Sequence, residues 1–449
     1  YVRFNGRGDN FILSLYPIFE RRVNAMDEKK DVEFTQQAVP LSQRKGFLEI
    51  CVVWIGYVFV VTGMQVGGTM GISTDFATLL QALAVGSVIL LILGSFMGLI
   101  ALKTGLTFGK LCRYAFGSLG SHIISLMIVV TLIGWFSVDA YMIGQASHAL
   151  FSFLPIIPIA ILAGIAMTTT ALFGMSWMSK LSDIAVPLVL IFGILSIVLS
   201  VKSTGGMDAL FAIQPKNLAS FNTLVSLAIG SFVCGAVSFT PDVLRFAKNK
   251  KQTLIIMFIA MMLANPLMII LGAVGAIATG YSDITYVLAS QGLLATAFLV
   301  MILNIWSTAQ GCVYSGSLSL GNTLSIDRKY LVIGFGALGT LGAVLGFYNY
   351  FGQFINFLAT TIPALGGVFI ADYLVTYRNG YPSLDGGMIP QVKWQAFLAW
   401  GLGIAANYLS FGIGQVNSIL VAFLMEAGLS LWIEKIRNVN NTKIVSENV

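Results

Sequence analysis

The sequence predicts an all-α polytopic membrane protein with twelve transmembrane helices. Three observations predict it: a shortage of charge, long continuous apolar runs, and a one-sided distribution of basic residues. Of 449 residues, 57% are hydrophobic and 10% are charged, where a soluble domain carries about 25% charged residues. So few charges cannot cover a water-facing surface. The runs reach the roughly 20 apolar residues that one helix needs to cross a bilayer. Backbone groups in lipid must pair internally, which leaves helices or closed barrels. The runs are continuous instead of alternating, and that selects helices.

The runs cover residues 47–70, 77–102, 119–147, 153–174, 181–201, 221–240, 252–280, 288–318, 330–348, 351–376, 393–410 and 414–434. They are called spans 1 to 12 below. With the N-terminus inside, 23 of the 25 Lys and Arg residues fall in inward segments, and only Lys202 and Lys216 face outward. A missed or extra span would reverse the later loops and spoil this positive-inside pattern. Both termini are therefore expected in the cytoplasm, with the protein in the cell (inner or plasma) membrane. The net charge of +6 comes from these short loops and argues for no nucleic-acid partner.

Residues 1–46 read as a cytoplasmic segment. Within it, residues 1–25 contain an apolar stretch, Phe11 to Leu15, too short to span and flanked by Arg21 and Arg22. They are expected to be non-native sequence with no role in the fold. The four cysteines (Cys51, Cys112, Cys234, Cys312) form no C-x-x-C pair. They read as small apolar packing residues, not as a disulfide framework or zinc site.

Spans 1 and 6 are rich in helix breakers. The first carries Gly56, Gly63, Gly67, Gly68 and Gly71; the sixth carries Gly230, Gly235 and Pro241. Glycine is common in membrane helices for close packing, so one such span says little. Two at a five-helix offset predict inverted repeats with broken helices at matching positions. The domains follow: 47–201 as the first repeat, 221–376 as the second, 393–434 as two further helices, and 435–449 as a cytoplasmic tail.

Few ionisable residues lie deep in the spans. Asp139 lies well inside span 3, four residues after Trp135, so the two share a helix face. A carboxylate at that depth is costly and marks a functional site by default; the bland alternative is a pairing with a neighbouring helix. Glu426 and Glu49 are weaker candidates, Glu49 lying at the rim. Asp242 and Arg245 fit a gate pair or a solvated loop equally well. His122 and His148 fall near span ends, as interfacial residues do. Span 8 holds a polar run in which Asn304, Ser307 and Thr308 share a face. Their oxygens suit a hard cation such as sodium, although Ser and Thr also bond back to their own helix.

At these residues the sequence resembles the nucleobase:cation symporter-1 family, and within it the bacterial cytosine permeases, from about Val39 to Glu434. The segments that carry the likeness are Arg44-Lys45-Gly46, Gly67-Gly68-Thr69, Lys103 to Thr107, Gly134-Trp135-Phe136 and Gly230-Ser231-Phe232. Asp242 to Phe246, Leu303 to Thr308, Ile362-Pro363, Gly366-Gly367-Val368 and Ala371 to Leu374 complete it. The resemblance implies a LeuT-type fold of two inverted five-helix repeats plus two C-terminal helices. It implies a base held between Trp135 and Phe232, beside Ser231, Cys234 and Gly235. Flat aromatic faces sandwich a planar heterocycle at low entropy cost. It also implies sodium held by Gly56 and Phe59 with Asn304, Ser307 and Thr308. The relatives place amides near the base at positions that here read Leu132 and Ala309, so Asp139 or Gln310 is expected to supply the polar contact.

The expected function is secondary import of a nucleobase by sodium symport, by a monomer in the lipid bilayer, with no cofactor beyond the coupling ion. A thiamine-precursor pyrimidine or a hydantoin- or allantoin-like ring, with proton coupling, is the alternative. A channel would need a continuous polar stripe, an enzyme a catalytic cluster, and a nucleotide-driven pump a phosphate loop. The sequence shows none of these.

Overall fold

The computed structural model describes residue 34 and residues 37–172, 175–215, 218–321, 323–324, 326–382 and 389–447. The side chains of residues 175–184, 186 and 437–447 are not described. Residues 1–25 and Lys216 thus lie outside the described residues. The described chain is helical, with one isolated backbone bridge, Lys45 to Ala247.

Among the described residues, eight helices are long and apolar enough to cross a membrane. They are Phe76–Thr104 (span 2), Gly120–Leu150 (span 3), Pro187–Thr204 (span 5), Phe221–Leu244 (span 6), Lys250–Thr279 (span 7), Leu294–Gly321 (span 8), Phe347–Thr376 (span 10) and Gly414–Ile436 (span 12). Span 1 is a ninth, made of Phe47–Val58 and Val61–Gly71 bent by 47° at the break. Spans 4, 9 and 11 are the shorter helices Ile156–Ala171, Arg328–Val344 and Trp394–Ala406. Every apolar run in the sequence therefore meets a helix, an arrangement compatible with twelve crossings.

Local chemistry sets the helix ends. Asp75, Ser220, Asn249 and Asp283 each accept a backbone N–H of the first turn, the role for which short polar side chains are suited. Gly105 and Gly280 end spans 2 and 7 with φ of 72° and 77°, a conformation open to glycine at no steric cost. Burial then separates the layers. The apolar windows of spans 6 and 10 are 94% and 89% buried, those of spans 5 and 12 only 22%. Spans 6 and 10 are the centre of the molecule, and spans 5 and 12 face outward.

The glycines of span 1 do not mark its break. Gly67, Gly68 and Gly71 lie inside the helix Val61–Gly71. A methyl group on Gly67 would overlap the Ile269 carbonyl, one on Gly68 that of Ser282, and one on Gly71 that of Ala273; Gly272 meets Met64 in the same way. These glycines let spans 1 and 7 approach backbone to backbone. The break falls four residues earlier than Gly63, at Phe59 and Val60, where Val60 is extended. Span 6 is not broken in this way. It runs through a tight turn at Ser231 and Phe232 and a wide i+5 turn over Gly235–Phe239.

Asp242 and Arg245 are not in a solvated loop. Arg245 has no exposure and Asp242 only 7%. Asp242 Oδ1 accepts the Phe108 N–H at 3.0 Å. Arg245 Nε donates to the Asp242 carbonyl at 3.1 Å and its Nη1 to the Phe34 carbonyl at 2.7 Å. Nearby, residues 39–45 form a strap across the N-terminal face. Val39 N donates to Gly105 O and Lys45 N to Phe246 O. Arg44 reaches both Ala247 O (2.9 Å) and Leu102 O (3.1 Å). Glu49 stays at the rim in an exposed pair with Lys45, 2.7 Å apart.

Candidate functional site

The site is built from the break in span 1 and the helices that face it. At the break the continuous backbone ladder is lost. Val60 N donates to Val58 O instead of reaching back four residues to Gly56. Asn304 of span 8 closes the gap: its Oδ1 accepts Val61 N–H at 2.8 Å and its Nδ2 donates to Phe59 O at 2.7 Å. One amide thus repairs both sides of an interrupted helix, the requirement for irregular backbone at membrane depth.

This differs from the expectation for Asn304, whose side-chain oxygen is engaged by the break. Ser307 and Thr308 both donate their hydroxyls to Asn304 O, at 2.8 and 3.1 Å. Their oxygens keep lone pairs as acceptors. Gly56 O, deprived of its helical donor, and Phe59 O are the carbonyls of the break itself, so the candidate donors are all oxygens. They fit a hard monovalent cation.

Trp135 and Asp139 rise side by side on span 3. The Trp135 ring is 8% exposed and packs edge-on against Phe351 and Phe354 of span 10, with centroids 6.1 and 5.3 Å away. Phe232 sits edge-on to Trp54 of span 1 at 5.9 Å. Its ring lies over Gly235, where a Cβ would strike it. The two rings are thus held by different helices, Trp135 by span 10 and Phe232 by span 1.

Asp139 is fully buried, and neither carboxylate oxygen has a hydrogen-bond partner among the described residues. Cys312 of span 8 lies within its electrostatic reach, and Cys234 within that of Cys312. Cys234 Sγ in turn lies 3.5 Å from both Thr131 and Ser238 hydroxyls. Spans 3, 6 and 8 thus converge on one buried polar spot. Ser231 is turned aside: its hydroxyl bonds Ala228 O at 2.7 Å and touches Asn265 at 3.5 Å.

Gln310 is half engaged. Its Nε2 donates to Thr170 Oγ1 of span 4 at 2.8 Å, and Trp306 Nε1 shares that hydroxyl at 2.8 Å. Gln310 ties span 8 to span 4 through its nitrogen, while its Oε1, like both oxygens of Asp139, is buried without a hydrogen-bond partner among the described residues.

The face opposite the N-terminus carries a latch that the sequence did not single out. Asp283 Oδ2 accepts Gln145 Nε2 at 3.0 Å and the Tyr348 hydroxyl. Tyr348 stacks on Tyr141 at 4.8 Å, and Gln65 Oε1 accepts Ile284 N–H at 3.0 Å. Asp283 also caps the helix Ile284–Ser290, its Oδ1 accepting Thr285 N–H at 2.8 Å. His148 bonds Leu154 O at 2.8 Å and His122 Thr323 at 3.1 Å, both at helix ends.

A broken, braced helix beside a buried unpaired carboxylate is the kind of arrangement that membrane transporters use. Residues 38–433 match the family described as permease for cytosine/purines, uracil, thiamine, allantoin. The cytosine permease of Escherichia coli (strain K12) is 39% identical over 395 residues, covering 87% of this chain and 92% of that protein. The hydantoin permease of Microbacterium maritypicum is 22% identical over 424 residues, covering 87% and 86%. Among solved structures, the chain is similar to Mhp1, a nucleobase-cation-symport-1 family transporter, in a closed conformation with bromovinylhydantoin bound. The TM-score is 0.79 at 20% identity, over 90% of this chain and 96% of that one. It shares its fold with a Na+-coupled sialic acid symporter at a TM-score of 0.55 and 12% identity, over 86% and 96%. The chain belongs to the cytosine/purine permease family of membrane transporters.

Proposed function

We propose that the protein imports a nucleobase by sodium symport, alternating access around the spot between spans 1, 3, 6 and 8. One observation carries this reading: Asp139, fully buried, has no partner for either oxygen. Buried polar groups are almost always paired, so this carboxylate is built for a ligand that brings N–H donors. A base with ring and amino N–H groups is such a ligand, and Trp135 one turn away offers a flat face for it. The relationship to a cytosine permease supports the same class. Sodium is supported by the oxygen donors at the span 1 break. Both faces are bridged here, by the strap on one side and the Asp283 latch on the other. With the strap on the cytoplasmic face, the bridges are the two gates of an importer.

The test is uptake of radiolabelled bases into vesicles, with sodium or potassium outside. Sodium should stimulate uptake of at least one base, because two ligands that favour one state raise each other's affinity. Uptake that ignores sodium and follows a proton gradient would refute the cation assignment; no uptake of any base would refute the substrate class.

A further inference from the structure

Away from this spot, three ionisable side chains meet where spans 10, 11 and 12 come together near the N-terminal face. Asp372 ends span 10 in a wide turn closed by Tyr377 N–H on Asp372 O. Lys393, read from sequence as a loop cation, caps span 11 and is only 7% exposed. Its Nζ lies 3.1 Å from Asp372 Oδ1, under the Tyr377 ring at 5.2 Å. Its own backbone N–H is fixed on Phe116 O. Glu426 of span 12 has no exposure and lies in electrostatic reach of both Asp372 and Lys393. Ser430 donates to Glu426 Oε1 at 3.0 Å.

The charges do not balance. Two carboxylates face one ammonium, and Asp372 Oδ2 and Glu426 Oε2 are both buried without a hydrogen-bond partner. Among the described residues, the neighbouring Tyr377 and Tyr381 bring no positive charge; Lys103 stands over the Tyr373 and Tyr381 rings at 5.3 and 5.9 Å, and the cation that acts on Asp372 and Glu426 is Lys393. A buried charge without a counter-charge is strongly unfavourable, and two orphaned oxygens in one cluster call for a common occupant. We propose that this cluster is a second monovalent-cation site, holding one proton or one sodium ion between spans 10 and 12. The cation neutralises the cluster and clasps the last two helices to span 10. Span 10 also carries Phe351 and Phe354, the rings that hold Trp135, so the clasp bears on the substrate spot through that helix.

The test is thermal melting of the purified full-length protein from mildly acidic to mildly alkaline pH, in choline and in sodium salts. If the occupant is a proton, the folded state binds one that the unfolded chain releases. Stability is then present at low pH and lost as pH rises, by about tenfold in the folding equilibrium per pH unit. If it is sodium, added sodium restores the melting temperature at high pH. Glu426→Gln leaves one carboxylate for one ammonium, so that share of the pH or sodium dependence should vanish. Asp372→Asn should do the same, and it carries the test if Glu426→Gln fails to fold. Lys393→Met leaves two uncompensated carboxylates and should steepen the dependence. A merely structural cluster would lower stability in all three variants at an unchanged slope. Wild-type dependence retained in Glu426→Gln, or no steepening in Lys393→Met, would overturn the proposal.

Discussion

Spans 1 and 6 look alike in sequence and are built differently. Both are crowded with glycine, and both were expected to be broken. Span 1 is bent by 47°, at Phe59 and Val60, away from its glycine cluster. Span 6 keeps its course and widens by a turn. The difference lies in what each glycine meets. Gly67 and Gly71 of span 1 meet the backbone of span 7, and Gly68 that of Ser282 just beyond it; Gly235 in span 6 meets the ring of Phe232. Glycine content reported close approach, and the break was set by an amide that arrives from 243 residues further along the chain.

The comparison can be broken most sharply at Gly67. Gly67→Ala places a methyl group in the Ile269 carbonyl, where neither backbone can yield. We expect the loss of about 3 kcal/mol or more that follows severe overpacking, read as loss of folded protein after extraction. Gly235→Ala should leave the fold intact and weaken base binding, because the Phe232 ring can shift. Equal damage from both would end the distinction.

Asn304→Ala comes next. It strands Val61 N–H and Phe59 O at the break, at about 1–3 kcal/mol for each group left unpaired. Melting temperature should fall and sodium-dependent uptake should be lost together. A variant with normal melting and lost uptake would give Asn304 a direct role at the ion instead of a brace.

Trp135→Ala removes one stacking face, worth roughly 1–3 kcal/mol per base. It should abolish the thermal stabilisation given by substrate, and because the ring also packs on Phe351 and Phe354, the substrate-free melting point should fall as well. Thr308→Ala should be milder, lowering the sodium dependence of uptake without changing which bases compete. The smallest effect is expected at the entrance of span 1. The Lys45–Glu49 pair is about half exposed on each side, and Glu49→Gln should move stability by less than ~1 kcal/mol, the range of surface pairs.

The fold class and the position of each apolar run were legible because the bilayer imposes length and composition on one segment at a time. Asp139 was legible for the same reason: charge at depth is an anomaly that one segment displays alone. What sequence could not display were pairings between distant segments. Asn304 read as part of a cation face, yet its side chain bridges Phe59 and Val61 of span 1, more than 240 residues away. Gln310 was expected to replace the amides that the relatives carry; Thr170, 140 residues away, takes its Nε2 and leaves its Oε1 unpaired. Lys393 was counted among the inward loop charges and Arg245 was left equally between a gate pair and a solvated loop, because both adjoin span ends, where solvated cations abound. Both are buried through partners elsewhere in the chain.

The strap has a consequence for how the protein is made. Residues 39–45 are among the first described residues to leave the ribosome, yet they bond to Leu102 and Gly105 and then to Phe246 and Ala247. The first pair of partners is available once span 2 is complete, and the second only after span 6. During synthesis the segment therefore waits half-seated while more than a hundred further residues are added, at about 5–20 residues per second. For that interval of seconds, Arg44 is fixed to span 2 alone. A chain halted between spans 2 and 6 should expose the strap to protease, and release past Ala247 should protect it.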